Sequence, residues 1–388
     1  MSTRKSFFIL AALSLLAFAG GGVRADDKPA KETVKPAAKP KVEVVFCLDT
    51  TGSMGGLIDA AKKKIWSIAN QIASGKPNPA VKMGLVAYRD RGDSYITKVF
   101  DLSDDLDSIH GHLMGFKADE GGDEPESVNQ ALYDAVHKIT WSKDKKTLKM
   151  IFLVGDAPPH MDYPDDVKYP DTCKEAVKRD IIINTVLCGS SPTAKDHWLK
   201  ICRLAEGSFV QIEADGGPVV AIATPFDKEL AELSVKFSET TLVYGDPAAK
   251  DSAAKALGVT YSLGGASAAP RAGFLARSGG TAHDLLKAIK DDKVKLEDIK
   301  KEELPKELAG KSLAEQKEIL AKLDKERQEM SKRVLDLEKK RNEFIAKKMA
   351  EDTKLAAPTS FENEVLGILR LQARRSGIEY EAITPKKK

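Results

Sequence analysis

What most constrains this chain is an alternation, sustained from residue 41 to about residue 240, between short apolar runs and stretches of helical spacing. Residues 41–48 (Lys-Val-Glu-Val-Val-Phe-Cys-Leu) are nearly all apolar, the pattern of a strand covered on both faces in a parallel sheet. Just beyond, Leu57, Ile58, Ala61, Ile65, Ile68 and Ile72 recur three and four apart, which predicts a helix with one buried stripe. The unit repeats. Further strands are expected at 81–88, 95–102, 148–154, 181–187 and 208–212, and helices at 128–139, 172–178 and 197–205, with 225–234 closing the run. Strands alternating with helices predict an α/β fold, a doubly wound and mostly parallel sheet.

In such a sheet ligands bind outside the carboxyl ends of the strands, where the winding reverses. The two most apolar strands end in Asp49-Thr50-Thr51-Gly52-Ser53-Met54 and in Gly155-Asp156-Ala157-Pro158-Pro159-His160. Asp49, Thr51 and Ser53 alternate, so a tight turn at Gly52 aims one carboxylate and two hydroxyls at one point. Oxygen donors alone suit a hard cation: Mg²⁺, with Mn²⁺ or Ca²⁺ as alternatives. The competing reading is that Thr51 and Ser53 cap the helix that follows, by accepting from its free first-turn amides. Against that reading, a third loop, Gly121-Gly122-Asp123-Glu124-Pro125-Glu126, also crowds carboxylates before a helix. Three acidic loops on one rim repel one another unless a cation lies between them.

Asp-x-Thr-x-Ser after the first strand, Gly-Gly-Asp-x-Pro-Glu and Gly-Asp-Ala-Pro-Pro-His together resemble the bacterial branch of the von Willebrand factor A domain. The resemblance covers residues 41 to about 215. It implies a metal-ion-dependent adhesion site, with Asp49, Thr51 and Ser53 as the first ligand set and Asp156 added from the fourth strand. It also implies a protein-binding module rather than an enzyme, whose ion recruits an acidic group of a partner. Many members place a threonine on the third loop; here Glu126 is the nearest oxygen ligand, with Asp123 beside it. A carboxylate there makes the ion less electrophilic, so tighter metal binding with weaker ligand capture is expected.

Other features point less far. Arg91-Gly92-Asp93 falls at a turn between two expected strands, where Gly and Asp serve the turn itself. His160 invites a metal-assisted hydrolase or an enzyme's regulatory subunit as an alternative, yet no activated nucleophile accompanies it. Gly310-Lys311-Ser312 echoes a phosphate loop, but Pro305 stands where the first glycine belongs. The 61 basic and 58 acidic residues largely cancel to a net charge of +3, which does not resemble the strongly basic face that nucleic acid requires, so no nucleic-acid partner is expected.

Residues 1–25 read as a secretory signal, with Arg4 and Lys5, an apolar run over 7–19, and small residues near Val23 and Ala25. The run is shorter than the roughly 20 residues a bilayer needs and is broken by Gly20, Gly21 and Gly22. A periplasmic or secreted protein is expected, with no membrane span after cleavage. Residues 26–40, rich in Lys, Ala and Pro, are expected to form a semi-extended tether. In an oxidising compartment a bridge between Cys188 and Cys202 is conceivable.

The von Willebrand factor A-like part is expected to fill 41–240, and 241–300 to be a linker with short helices. Residues 301–388 are expected to be helical. Within them Leu320, Leu323, Met330, Val334, Leu337 and Phe344 make a coiled-coil seam, which Arg327 and Arg341 interrupt. Self-association through 313–350 and a fold-back against Val365, Ile368 and Leu369 are both open, as is a structural envelope role for this coiled segment.

Overall fold

The computed structural model describes residues 39–122, 124–217, 222–351 and 360–381. The expected signal, most of the tether and Asp123 lie outside them.

The expected alternation is realised as β1 (Lys41–Asp49), α1 (Gly55–Ala73), β2 (Ala80–Tyr88), β3 (Thr97–Ser103), α2 (Leu106–Met114), α3 (Val128–His137), β4 (Leu148–Gly155), α4 (Tyr169–Lys178), β5 (Ile181–Cys188), α5 (Pro192–Leu204) and β6 (Phe209–Ile212). The strands lie in the order β3-β2-β1-β4-β5-β6. All pairs are parallel except β2 with β3. Connections from β1 run outward in one direction and those from β4 in the other, so the crevice at their carboxyl ends is where the winding reverses.

Alternate residues of β1 face opposite layers. Val42, Val44, Phe46 and Leu48 join a cluster with α1 and α2, whereas Val45 and Cys47 join one with α3, α4 and α5. Helix α2 went unmarked in the sequence because it is short and its exposed and buried faces both hold polar groups, Asp107 and His110 among the buried ones. Its N-cap is Asp105, which accepts from Ser108 N at 3.2 Å.

Beyond the sheet come α6 (Asp227–Glu239), α7 (Pro247–Ser262), α8 (Gly265–Ser278), α9 (Leu285–Lys290), α10 (Leu313–Glu351) and α11 (Phe361–Ala373). Residues 246–281, expected as part of a linker, are instead mostly α7 and α8. Their buried face is built from alanine, with Ala268, Ala269 and Ala272 all sealed, so it lacks the bulky periodicity that marks a helix. Small residues also permit close packing: a Cβ at Gly273 would lie 2.8 Å from the Asn70 amide of α1.

Helix α10 is about 58 Å long at the usual rise. Its seam is real, but Leu320, Met330, Val334 and Leu337 are buried within this chain; the helix packs on α8 and α6, and α11 packs on α1. The surface expected for self-association is thus already occupied. The interrupting arginines have partners: Arg327 forms a buried pair with Asp284, and Arg341 Nε donates to Asp227 at 2.7 Å. Among the described residues no helix is long and apolar enough to cross a membrane. All four cysteines are free and buried, so Cys188 and Cys202 are not bridged.

Candidate metal centre

β1 delivers Asp49 fully buried to the crevice, and the chain then makes a single 3-10 turn, Gly52–Met54, into α1. One carboxylate oxygen, Asp49 Oδ1, accepts from Thr51 N at 2.9 Å and from Thr51 Oγ1 at 2.6 Å. Thr51 Oγ1 and Ser53 Oγ are 3.4 Å apart. The three residues expected to converge therefore do so. Neither Thr51, which caps the 3-10 turn, nor Met54, which caps α1, makes a side-chain capping bond. The Thr51 hydroxyl bonds the carboxylate and Ser53 Oγ lies beside it, neither bonds a helix amide, and the capping alternative is not realised.

β4 reaches the same rim through a glycine. A Cβ at Gly155 would lie 2.3 Å from the Tyr88 hydroxyl and 3.1 Å from Asp49 Oδ2, so only glycine lets the chain pass and place Asp156 next. The third loop is zipped to the one after β4: Glu126 N donates to Pro158 O at 2.9 Å, and His160 N donates to Glu126 O at 3.1 Å. Glu126 is buried as a result, at 3% exposure.

Asp49 Oδ2 and Glu126 Oε2 are sealed from solvent with no hydrogen-bond partner. Burial pushes the Asp49 carboxyl up to about 7; bonds from Thr51 oppose the shift and the charge of Asp156 adds to it. Burial likewise pushes Glu126 up to about 9, reinforced by Asp49, Asp90, Asp93 and Asp156. Buried orphaned carboxylate oxygens that repel one another fit a hard cation. Among the described residues no three His, Cys, Asp or Glu side chains form a metal-holding group by themselves, so any ion held here would need the hydroxyls of Thr51 and Ser53 or water as well.

The sequence reading missed Arg89. Arg89 is 5% exposed, and its guanidinium ties three segments together. Nε donates to Thr50 O at 3.1 Å, Nη1 to Ser94 Oγ at 3.1 Å and Nη2 to Lys117 O at 3.0 Å. It also pairs with Glu120 and covers the Tyr95 ring. Glu120 O in turn accepts from Gly52 N at 3.0 Å. One buried cation thus fixes the metal loop against the loop that leads to Glu126, and its charge pulls the Asp49 carboxyl down.

Asp93 is held within the rim, accepting from Asp90 N at 3.1 Å and Gly121 N at 3.3 Å, while Arg91 pairs with Asp165 and Asp166. The Arg-Gly-Asp tripeptide is a loop clamp. His160 is buried flat against Tyr163, with ring centroids 3.9 Å apart, and its Nδ1 meets Asp162 Oδ1 at 2.8 Å. The neighbouring hydroxyls of Ser127 and Tyr163 both donate to Asp90. His160 Nε2 also lies 3.2 Å from Asp90 Oδ2, so this network braces the loops around Asp90.

Residues 43–209 match the family model of the von Willebrand factor A domain. The matched span holds Asp49, Thr51, Ser53, Arg89, Glu126 and Asp156; α6 to α11 lie beyond it. Von Willebrand factor A domain-containing protein 7 of Rattus norvegicus is 38% identical over 120 residues, 31% of this chain and 12% of that protein. An ariadne-like RING finger protein of Acanthamoeba polyphaga mimivirus is 27% identical over 119 residues, 31% of this chain and 11% of that protein. The chain therefore spans little more than a tenth of either relative's length. Proximal thread matrix protein 1 from the mussel byssus, in a structure with a zinc-occupied MIDAS motif, is 16% identical with a TM-score of 0.37, covering 46% of this chain and 43% of that one.

Proposed function

We propose that this chain is an exported, non-enzymatic protein-binding module that works through a divalent cation held by Asp49, Thr51, Ser53 and Asp156, with Glu126 on the third loop. Bound Mg²⁺, or Mn²⁺ or Ca²⁺ in its place, supplies an electrophilic centre that a carboxylate of a partner protein can complete. The chain's own residues do the rest. Thr51 orients Asp49 through two bonds to one oxygen and leaves the other oxygen free. Glu126 supplies negative charge in place of a neutral hydroxyl, which favours retention of the ion over capture of the partner.

The observation that carries this reading is the pair of buried, unpartnered oxygens, Asp49 Oδ2 and Glu126 Oε2. A folded protein leaves few such groups without cause, and here both lie at the winding reversal of the sheet. Export rests on the signal-like residues 1–25.

Isothermal titration of Mg²⁺, Mn²⁺ and Ca²⁺ into the chain tests the reading, with Asp49→Ala as the control and circular dichroism to confirm its fold. Saturable heat with the wild type and none with the folded variant is expected. No heat with any of the three ions would sink the proposal.

A further inference from the structure

The cup sits in a collar of carboxylates on a chain that is otherwise basic. The described residues of the rim segments 49–53, 89–94, 117–126 and 156–168 include eleven acidic and four basic ones, although the whole chain carries a net charge of +3. Many of these acids face solvent: Asp119, Glu120, Glu124, Asp162 and Asp165 are all exposed. Three have a cationic or imidazole partner, Glu120 with Arg89, Asp162 with His160 and Asp165 with Arg91. Asp119 and Glu124 have no ion pair among the described residues. One divalent ion offsets only a fraction of this charge.

Two further observations show that the collar surrounds a site. Asp49 Oδ2 and Glu126 Oε2, sealed at its base, have no partner among the described residues, and the collar lies against them: a Cβ at Gly121 would lie 2.9 Å from Thr51 Cβ and 3.6 Å from Glu126 Oε1. On the loop that follows β4, Met161 is 41% exposed. Exposed methionine is enriched at surfaces that bind polypeptides.

We infer that the surface around the cup docks a basic segment of a partner protein, whose lysine and arginine side chains answer the carboxylate collar while a single carboxylate among them reaches the cup. The role of that carboxylate rests on the metal reading above; the basic character of the segment rests on the collar alone. Complementary charge of this kind sets partner choice and speeds encounter more than it adds affinity. A partner whose contact surface is acidic overall would be repelled before its carboxylate arrived.

Three labelled synthetic peptides test this against the full chain by fluorescence anisotropy. One alternates Lys and Ser around a central Asp, the second replaces every Lys by Glu, and the third keeps Lys but replaces Asp by Ala. Each is measured in Mg²⁺ and in EDTA. The Lys peptide with Asp should bind roughly tenfold or more tighter than the Glu peptide and weaken steeply with added salt. Combined Asp119→Asn, Glu124→Gln and Asp165→Asn should weaken it by a similar factor, whereas Glu318→Gln with Glu329→Gln on the exposed face of α10 should not. Equal binding of the Lys and Glu peptides, or an unchanged affinity in the rim variant, overturns the inference. The two readings separate cleanly in this assay. Mg²⁺ uptake without any preference for Lys removes the collar alone, and a Lys preference confined to the rim without Mg²⁺ uptake supports the collar while removing the metal.

Discussion

Asp49 has one oxygen doubly bonded to Thr51 and the other with nothing to bond. Without a cation such an arrangement destabilises the fold, because a buried ionised carboxylate forfeits its hydration. Asp49→Asn keeps an acceptor for Thr51 and removes the charge. In EDTA this variant should be more stable than the wild type by about 1–2 kcal/mol, read as a higher melting temperature. In Mg²⁺ the order should reverse, since only the wild type gains binding energy. A lower melting temperature in EDTA would mean that the carboxylate has a stabilising partner after all. Asp49, Thr51 and Ser53 were legible in the sequence because alternate residues of one tight turn converge whatever surrounds them, and Asp156 because it ends a strand. Arg89 was not. It follows an apolar strand as any strand-terminating charge does, and two of its partners, Thr50 O and Lys117 O, are backbone carbonyls that leave no signature in residue types.

At the scale of elements, helices are joined by buried charge as much as by apolar contact. Arg271 of α8 is fully buried, and all five of its N–H groups have acceptors. Nε and Nη2 meet the Asp107 carboxylate at 2.7 and 2.6 Å, Nη1 meets Ser234 O and Oγ, and Nη2 also meets Ser238 Oγ. One side chain thereby locks α8 to α2 and α6. Arg271→Met should cost about 3–5 kcal/mol in urea unfolding by leaving Asp107 buried and unpaired, and adding Asp107→Leu should recover most of that loss. A double variant no more stable than the single one would show that packing, not charge, decides the site. The apolar elements of the sheet were legible from periodicity. Helices α7 and α8 were not, because an alanine face carries no bulky stripe, and the partners of α10 were not, because a heptad seam looks the same whether its groove lies on another chain or on this one. Arg327 and Arg341 were the clue: a seam interrupted by arginines needs carboxylates opposite, and Asp284 and Asp227 supply them.

Over the whole molecule, the C-terminal helices complete the sheet domain's open face. Met330, Val334, Leu337, Val365, Ile368 and Leu369 belong to the same apolar cluster as Val44, Phe46 and Leu57. Polar groups within that face are paired across the same boundary, Asn184 of β5 with Gln372 of α11 and Asn70 of α1 with Glu338 of α10. A chain ending at residue 245 should therefore fail to fold to a protease-resistant product, although it contains the full span matched to the von Willebrand factor A domain. A sharp, cooperative melt of that fragment would prove the sheet domain autonomous. The last described residues extend the dependence, since Lys76 and Glu379 exchange backbone hydrogen bonds at 2.8 and 2.9 Å. A ribosome makes residue 76 some three hundred positions before its partner, and at ordinary synthesis rates that interval lasts tens of seconds. Throughout it the face that α1 and α2 already partly cover lacks the apolar residues of α11. Until α11 is made, Phe46 of β1 lacks the Phe361 ring that packs against it in the finished fold.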